Sequence, residues 1–227
     1  MISPTMLSVF NECPYKFKII YVDNRRPTYK PEFEFGKTIH RIIAEYYKLL
    51  PSDATPSDVP MILGSAIKRV MGYLDENIVR YFRCFENFEK QRLSWHINPK
   101  PLFFEAEVRR GQLHGIIDAA FKRDGQTIVV DWKTGMDRDP TVDERLKIQG
   151  NFYMYLLDAK EMYFVFIRHS TFHKLTYDED FLREKLKAFL DAHSKNDYQR
   201  REGPHCERCE VNLHCYFDKY GLRWWEL

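Results

Sequence analysis

The chain has 227 residues and a formal net charge of +2, and 44% of its residues are hydrophobic. This length and composition suit one large domain with a full core, and the near-neutral charge excludes a protein that is basic over its whole surface. No apolar run is long enough to span a membrane, and the N-terminal residues lack the features of a signal peptide, so we expect a cytoplasmic protein.

The first hundred residues are predicted to be mainly helical. A helix over residues 5–21 is interrupted by Pro14, a second helix follows over residues 34–50, and one or two helices cover residues 61–93, with Gly72 as a weak point. A local basic surface could form near the N-terminus from Lys16, Lys18, Arg25, Arg26, Lys30 and Lys37.

The middle of the chain is predicted to form a β-sheet. Strands are expected over residues 102–109, 112–121, 127–134, 162–168 and 171–177, with helices over 140–157 and 178–193. Asp124 and Gly125 separate the second and third strands and are typical of a two-residue hairpin. The predicted fold class is therefore α/β, with a central mixed sheet that has helices on both sides.

Charged residues gather on the predicted hairpin. Asp131 and Lys133 point to the same side of the third strand because strand side chains alternate, and Asp118 on the second strand could share that face. Two buried carboxylates need a partner, and Mg²⁺ or Mn²⁺ is the simplest one. An Asp-x-Lys pattern by itself also fits ordinary solvated residues at a strand edge.

Further polar residues fit a metal-assisted site for phosphodiester hydrolysis. His40 lies on the helix over residues 34–50, and its imidazole would favour Mn²⁺ over Mg²⁺. Gln149 and Tyr153 are four residues apart and therefore share one helix face. In such a site two carboxylates hold the metal, and Lys133 orients a water molecule or neutralises developing charge.

Cysteines form a second group. Cys206, Cys209 and Cys215 have a spacing typical of metal ligands, whereas Cys84 fits a buried core position. Cys13 precedes a helix-breaking proline and is expected to be exposed, so it is the candidate fourth ligand. Four thiolates can hold Zn²⁺ or an iron–sulfur cluster, and the spacing leaves both open.

The order of these motifs resembles that of a known family. An N-terminal Cys-Pro, the His40 helix, G-I-I-D ending at Asp118, D-W-K-T-G, Q-x3-Y and C-x2-C-x5-C follow one another from Cys13 to Cys215. This order resembles the RecB-like PD-(D/E)XK nucleases that carry an iron–sulfur staple. It is most similar to the CRISPR-associated 4Fe–4S exonucleases, and the nuclease domains of AddB are also similar.

The resemblance implies roles for individual residues. Cys13, Cys206, Cys209 and Cys215 would hold a 4Fe–4S cluster that joins the N- and C-terminal segments. His40, Asp118, Asp131 and the backbone carbonyl of Trp132 would bind Mn²⁺ or Mg²⁺. Lys133 would be the catalytic lysine, and Gln149 and Tyr153 would position groups near the active site and the DNA.

The resemblance further implies a 5′-to-3′ exonuclease that acts on single-stranded DNA ends. Such an enzyme would trim DNA for CRISPR spacer acquisition in antiviral defence, with CRISPR integration proteins as candidate partners. Asp131 stands where the CRISPR-associated group often has Glu, which favours the helicase-linked relatives. The chain nevertheless has no motor motif of its own, because Pro31 replaces a glycine that the phosphate-binding loop requires before Gly36-Lys37-Thr38.

Two alternatives remain open at this point. The chain could be a repair component related to helicase–nuclease systems, or a DNA-binding assembly module without catalysis. In either case we expect a single domain over residues 1–227, with a helical part (1–100), a catalytic part (101–200) and a cysteine segment (201–227). Aromatic residues within 61–93 could stack on bases, although core packing is the ordinary role of such residues.

Overall fold

The computed structural model describes residues 1–25, 32–74, 76–169 and 171–221. Contacts group the chain into a first unit, Met1 and Pro31–Asp178, and a second unit, Ile2–Lys30 and Glu179–Leu227. The single nuclease domain with three parts stays a prediction. Among the described residues, no helix is both long enough and apolar enough to cross a membrane.

The helices of both units are numbered in chain order. They are α1 Pro4–Glu12, α2 Pro14–Phe17, α3 Glu32–Leu49, α4 Val59–Met71, α5 Glu76–Tyr81, α6 Arg83–Ser94, α7 Glu144–Leu157, α8 Glu179–Ser194 and α9 Asn212–Tyr220. The region 61–93 therefore contains parts of three helices rather than one or two. Gly72 ends α4 in a left-handed conformation with φ of 82°, which glycine adopts without steric cost.

The first unit is built on a five-stranded mixed sheet. Its strands are β1 Phe103–Arg110, β2 Leu113–Arg123, β3 Gln126–Lys133, β4 Glu161–Phe166 and β5 Thr171–Thr176. They lie in the order β1-β2-β3-β4-β5, and β3 and β4 are parallel while the other neighbours are antiparallel. The parallel pair is connected through α7. The predicted α/β fold with a mixed sheet flanked by helices is confirmed.

The hairpin between β2 and β3 has the predicted turn. Asp124 and Gly125 have φ of 49° and 79°. Two consecutive positive φ angles match the right-handed twist of the flanking strands, which is why Asp-Gly is favoured there. The turn fixes the register of the hairpin, so that Ala119 pairs with Val130.

The main core of the first unit lies on one face of the sheet. Trp132 on β3 is fully buried and contacts the aromatic rings of Tyr47, Phe85 and Phe104, at centroid distances of 5.6, 6.1 and 5.7 Å. Helices α3, α4 and α6 contribute further residues to this core. Since Trp132 faces it, the neighbouring residues of β3 point to the opposite face, where α7 packs.

A fully buried ion pair lies within this core. Arg92 donates two hydrogen bonds to Glu89, of 2.7 and 2.8 Å, and Tyr47 donates a third to Glu89, of 2.6 Å. Arg92 donates two further hydrogen bonds, to the carbonyl oxygens of Asn98 and Pro99. Both charges are therefore compensated by hydrogen bonds as well as by each other, as burial requires.

The second unit brings the two ends of the chain together. Phe10 on α1 and Phe17 on α2 both pack edge-on against Phe189 on α8, at 5.2 Å between centroids. A π-helical turn, Lys18–Val22, continues α2, and a 3₁₀ helix, Pro204–Arg208, precedes α9. Tyr15 also donates a hydrogen bond of 3.0 Å to Asp218 on α9. Pro14 interrupts the first helix as predicted.

Candidate active site

A gap between β2 and β3 contains the two predicted carboxylates. Pairing of these strands ends at Ala119 and Val130, so the next register positions, Asp118 and Asp131, do not pair through their backbones. Instead, Asp118 Oδ2 accepts a hydrogen bond of 2.9 Å from the backbone N–H of Trp132. The Asp118 side chain thus accepts the N–H of Trp132 at a point where β2 and β3 no longer pair through their backbones. This contact keeps the Asp118 carboxylate in the gap.

Four of the predicted site residues form a hydrogen-bonded chain on the α7 face. Lys133 Nζ lies 2.8 Å from Asp131 Oδ2 and donates a hydrogen bond of 2.7 Å to Gln149 Oε1. The amide nitrogen of Gln149 donates to Asp131 Oδ1 at 3.0 Å and to the hydroxyl of Tyr153 at 3.3 Å. The structure therefore brings Asp131, Lys133, Gln149 and Tyr153 together, and Gln149 fixes the carboxylate and the ammonium at the same time.

Two glycines allow α7 to approach the sheet closely enough for these contacts. A Cβ atom at Gly150 would lie 2.5 Å from Leu175 Cδ2 and 3.2 Å from the ring of Phe164. A Cβ atom at Gly115 on β2 would lie 2.8 Å from the ring of Tyr153. Because carbon atoms do not approach so closely, larger residues at these positions would displace α7 and with it Gln149.

His40 reaches the same gap from α3. Its Nε2 atom lies 3.2 Å from the carbonyl oxygen of Trp132, and its Nδ1 atom lies 3.8 Å from Asp118 Oδ1. The backbone of Trp132 therefore directs its N–H to Asp118 and its carbonyl to His40. The structure places all the predicted metal ligands, His40, Asp118, Asp131 and the Trp132 carbonyl, around one gap.

Glu105 is a site residue that the sequence did not predict. Its Oε1 atom lies 3.6 Å from His40 Nδ1, and its φ of 46° is unusual for a residue within a strand. The strand pattern around it, with Phe104, Ala106 and Val108 as the apolar positions, gave no reason to single it out. A polar residue between apolar ones ordinarily faces solvent.

Burial and charge shape the electrostatics of the gap. Burial, and after it the neighbouring carboxylate of Asp131, raises the pKa of Asp118 to about 7, while His40 and Lys133 act in the opposite direction. Burial also raises the pKa of Tyr153, so its hydroxyl stays protonated. The negative charge of Asp131 opposes ionisation of Asp118 even with the Lys133 ammonium beside it, and a further cation between the two carboxylates would relieve this repulsion.

The donor atoms of the gap fit a divalent cation. Asp131 Oδ2 is buried and, despite the nearby ammonium of Lys133, has no hydrogen bond within the described structure. Carboxylate and carbonyl oxygens are preferred ligands of Mg²⁺ and Mn²⁺, and one imidazole nitrogen suits Mn²⁺. Within the described ranges, no three His, Cys, Asp or Glu side chains are already arranged as a complete metal site. The suitability of the gap for a divalent cation therefore rests on the types of donor atom that it contains.

The four predicted cluster cysteines lie around one cavity of the second unit. Cys13, Cys206, Cys209 and Cys215 all line this cavity, which has a volume of about 380 Å³, and none of them forms a disulfide. Cys13 stands at the junction of α1 and α2, as predicted, but it is buried rather than exposed, so that part of the prediction is wrong. Four thiols around one cavity fit a structural metal or cluster.

Cys84 is buried in the first unit and donates a hydrogen bond of 3.4 Å to the carbonyl of Thr171. Its predicted role as a core residue is confirmed.

The predicted basic surface near the N-terminus is largely neutralised. Lys16 pairs with Glu12 and Glu210, and Lys18 pairs with Asp23. Arg25 pairs with Asp218, and Lys37 also has a partner. Arg26 and Lys30 lie outside the described residues. Lys16, Lys18 and Arg25 therefore serve local ion pairs rather than a basic patch, and two of their acidic partners, Glu210 and Asp218, are distant in sequence.

Most aromatic residues of the region 61–93 belong to the core. Phe82, Phe85 and Phe88 are fully buried and cannot contact a substrate. Tyr81 differs, because it packs edge-on against Phe35 at 5.3 Å and donates a hydrogen bond of 3.3 Å to the carbonyl of Thr134, next to Lys133. Phe35 has an exposed fraction of 47%, although it shares the apolar face of its helix with residues such as Ile39 and Ile43, which are buried.

The sequence matches a known protein family. The family model described as "PD-(D/E)XK nuclease superfamily" matches residues 1–216. Among solved structures, the one described as "Crystal structure of SSO0001" is 15% identical, with a TM-score of 0.44, and the match covers 93% of this chain and 84% of that one. The comparison with curated proteins found no match. Because the family model covers nearly the whole sequence, the chain belongs to the PD-(D/E)XK nuclease superfamily.

Proposed function

We propose that the chain is a metal-dependent exodeoxyribonuclease that acts on single-stranded DNA ends. The observation that supports it most is the convergence of Asp118, Asp131 and Lys133 in the gap between β2 and β3, where Lys133 Nζ lies 2.8 Å from Asp131. Two carboxylates with an ammonium beside them are the groups that metal-assisted phosphodiester hydrolysis requires. The proposal includes the 5′-to-3′ polarity that the family resemblance implies.

Each residue of the gap has a place in this proposal. Asp118, Asp131, the Trp132 carbonyl and His40 Nε2 would hold the Mn²⁺ or Mg²⁺ ion. A divalent ion bound there supplies polarisation of the scissile phosphate and activation of water. Lys133 is oriented by Gln149 and can neutralise the charge that develops on the phosphate.

Phe35 and Tyr81 are the candidate contacts for the DNA bases. Phe35 is exposed, and Tyr81 connects the pair to Thr134, which directly follows Lys133. An exposed aromatic ring near the end of β3 that carries Lys133 could stack on a base of an unpaired strand, which a duplex would not offer. This pair therefore favours single-stranded ends as the substrate.

The cysteine cavity is proposed to hold a 4Fe–4S cluster formed by Cys13, Cys206, Cys209 and Cys215. Their placement around one cavity supports a shared group, and the resemblance favours iron–sulfur over zinc. Such a cluster would connect residues about two hundred positions apart, which constrains the unfolded chain strongly. Purified protein should be brown and contain iron and sulfide. Colourless protein with stoichiometric zinc would contradict the cluster.

A role in CRISPR spacer acquisition, with integration proteins as partners, is the proposed biological setting. A repair component related to helicase–nuclease systems would share the same chemistry. Genes for CRISPR integration proteins beside the coding sequence would favour the first, and genes for helicase subunits would favour the second.

Nuclease activity on end-labelled single strands with Mn²⁺ or Mg²⁺ tests the proposed function. Lys133→Ala and Asp118→Ala should each lower the rate by at least about 100-fold, the usual effect of removing one group that stabilises a transition state. Lys122→Ala is the matched control, because this lysine bonds to Thr127 at the far end of the same hairpin.

Unchanged activity in both active-site variants would contradict the site. Wild-type protein that binds DNA but never cuts it would instead favour the non-catalytic assembly module. Labels at the 5′ and 3′ ends, used in parallel, determine the polarity.

A further inference from the structure

Lys16 is a buried lysine in the second unit, with an exposed fraction of 5%. Lysine is almost never buried to this extent unless charged partners surround its ammonium group. Two carboxylates do so here, because Glu12 Oε2 lies 2.8 Å from Lys16 Nζ and Glu210 Oε2 lies 2.9 Å from it. The pair with Glu12 is local, since the two residues are one helical turn apart. The pair with Glu210 joins opposite ends of the chain.

Both members of this long-range pair are close in sequence to cysteines of the proposed centre. Lys16 lies on α2, which begins directly after Cys13, and Glu210 directly follows Cys209. Lys16 also lines the cavity that the four cysteines share. The pair therefore connects the two cysteine-bearing segments beside the cavity itself.

Other contacts between the same segments are more exposed or farther from Cys209. Tyr15 and Arg25 both contact Asp218, which lies on α9 beyond Cys215, and the side chain of Arg25 is exposed. Exposed ion pairs contribute little to stability, whereas the removal of one partner from a buried pair is costly. The pair of Lys16 and Glu210 is thus the ionic contact between these segments whose ammonium group is buried.

We propose that Lys16 is a positioning residue that holds the cysteine segment in place before a metal or cluster binds. Bringing together residues so distant in sequence costs conformational entropy. A contact that already exists in the metal-free protein removes part of this cost from the binding step. The proposal rests on the proposed function, since the four-cysteine centre belongs to it, but it applies to zinc and to an iron–sulfur cluster alike.

Glu210→Gln separates positioning from simple charge. This substitution removes the long-range ion pair but leaves Lys16 paired with Glu12, so the buried ammonium remains compensated and the protein should fold. Four thiolates around a divalent ion are negative overall, so loss of a nearby carboxylate charge alone would strengthen binding. Loss of a positioning contact would weaken it. Glu202→Gln is the matched control, because Glu202 pairs with Lys219 at 2.8 Å beside the same cavity but is exposed.

The first readout is the affinity of the reduced, metal-free full-length chain for Co²⁺. Absorption from thiolate-to-cobalt charge transfer reports on the cysteine site alone, because carboxylate and imidazole ligands do not produce it. We expect Glu210→Gln to bind Co²⁺ roughly 10-fold more weakly than the wild type, as is usual when a group that orients metal ligands is lost. Glu202→Gln should bind like the wild type. Equal or tighter binding by Glu210→Gln would overturn the proposal.

Lys16→Met removes the same ion pair from its other side. It should also weaken Co²⁺ binding, and adding Glu210→Gln to it should cause little further loss, because the pair is already absent. Fully additive losses of affinity would show that the two residues act independently and would overturn the proposal.

The second readout is hydrogen exchange at the backbone amides of Cys209 and Asn212 in the metal-free chain. These amides donate to the carbonyl oxygens of Cys206 and Cys209, at 3.2 and 3.1 Å. Their exchange should be faster in Glu210→Gln than in the wild type and unchanged in Glu202→Gln. Amides that are unprotected in the wild type, or equally protected in Glu210→Gln, would overturn the proposal. Faster exchange in Glu210→Gln, in a protein whose wild type neither binds Co²⁺ at its cysteines nor contains metal as purified, would contradict the proposed cysteine centre alone.

Discussion

Replacing Asp118 by asparagine should make the metal-free protein more stable, and increasingly so at higher pH. The pKa of Asp118 is about 7 in the folded protein and 3.8 as the reference value. The folded state therefore binds this proton more tightly than the unfolded state, and stability falls as the pH rises between the two values. The cost of ionisation grows from about 2 kcal/mol at pH 5 to about 4 kcal/mol at pH 8.

The uncharged amide of the D118N variant would avoid this cost, while its oxygen could still accept the N–H of Trp132. Thermal unfolding of protein freed of divalent ions, compared at pH 5 and pH 8, measures the effect. The unfolding temperature of D118N should exceed that of the wild type by about 8–16 °C at pH 8 and by about half as much at pH 5. Added Mn²⁺ should raise the wild-type value at pH 8 and leave the variant unchanged.

The control is Asp124→Asn, in the exposed turn of the same hairpin, where asparagine also accepts a positive φ. It should change the unfolding temperature by a similar small amount at both pH values. A wild-type protein that stays as stable as D118N across this pH range would refute the view that the ionised carboxylate of Asp118 destabilises the metal-free protein.

Three further changes test other parts of the structure. Gly150→Ala should lower nuclease activity because it forces α7 off the sheet, whereas Gly64→Ala, where a Cβ atom meets nothing within 4 Å, should leave activity intact and raise the free energy of unfolding by up to about 1 kcal/mol. Glu89→Gln should lower the free energy of unfolding, measured by chemical denaturation, by about 3–5 kcal/mol, because it leaves the buried charge of Arg92 uncompensated. A loss below about 1 kcal/mol would contradict the view that Glu89 compensates this charge. Phe35→Ala should raise KM for single-stranded DNA several-fold with little change in kcat, which would not occur if its ring never touched a base.

Local chemistry made much of the fold predictable from the sequence. Asp124 and Gly125 specify one turn, and the alternation along β3 then fixes which face carries Asp131 and Lys133. The i, i+4 spacing likewise predicts that Gln149 and Tyr153 lie on one face of α7, as their hydrogen bond confirms. These features depend on neighbours in sequence, which is why periodicity reveals them.

The features that the sequence did not reveal depend on tertiary contacts. Glu105 has its unusual φ and its contact with His40 because β1 and β2 do not pair at this position, next to the gap. No residue type in the sequence indicates where that pairing is interrupted. Cys13 is buried although it precedes a helix break, and it lines a cavity together with residues near the C-terminus, about two hundred positions away. Phe35 has the helical position of a core residue but remains exposed beside Tyr81. The two tryptophans near the C-terminus, Trp224 and Trp225, lie outside the described residues.

Anomalous X-ray diffraction from crystals soaked in Mn²⁺ would locate the metal directly. We expect one strong manganese peak in the gap between β2 and β3, within coordination distance of Asp118, Asp131, the Trp132 carbonyl and His40 Nε2. Asp118→Ala crystals treated in the same way should lose that peak. A wild-type gap without manganese at a concentration that supports DNA cleavage, or manganese bound by other residues, would contradict the assignment of the metal centre.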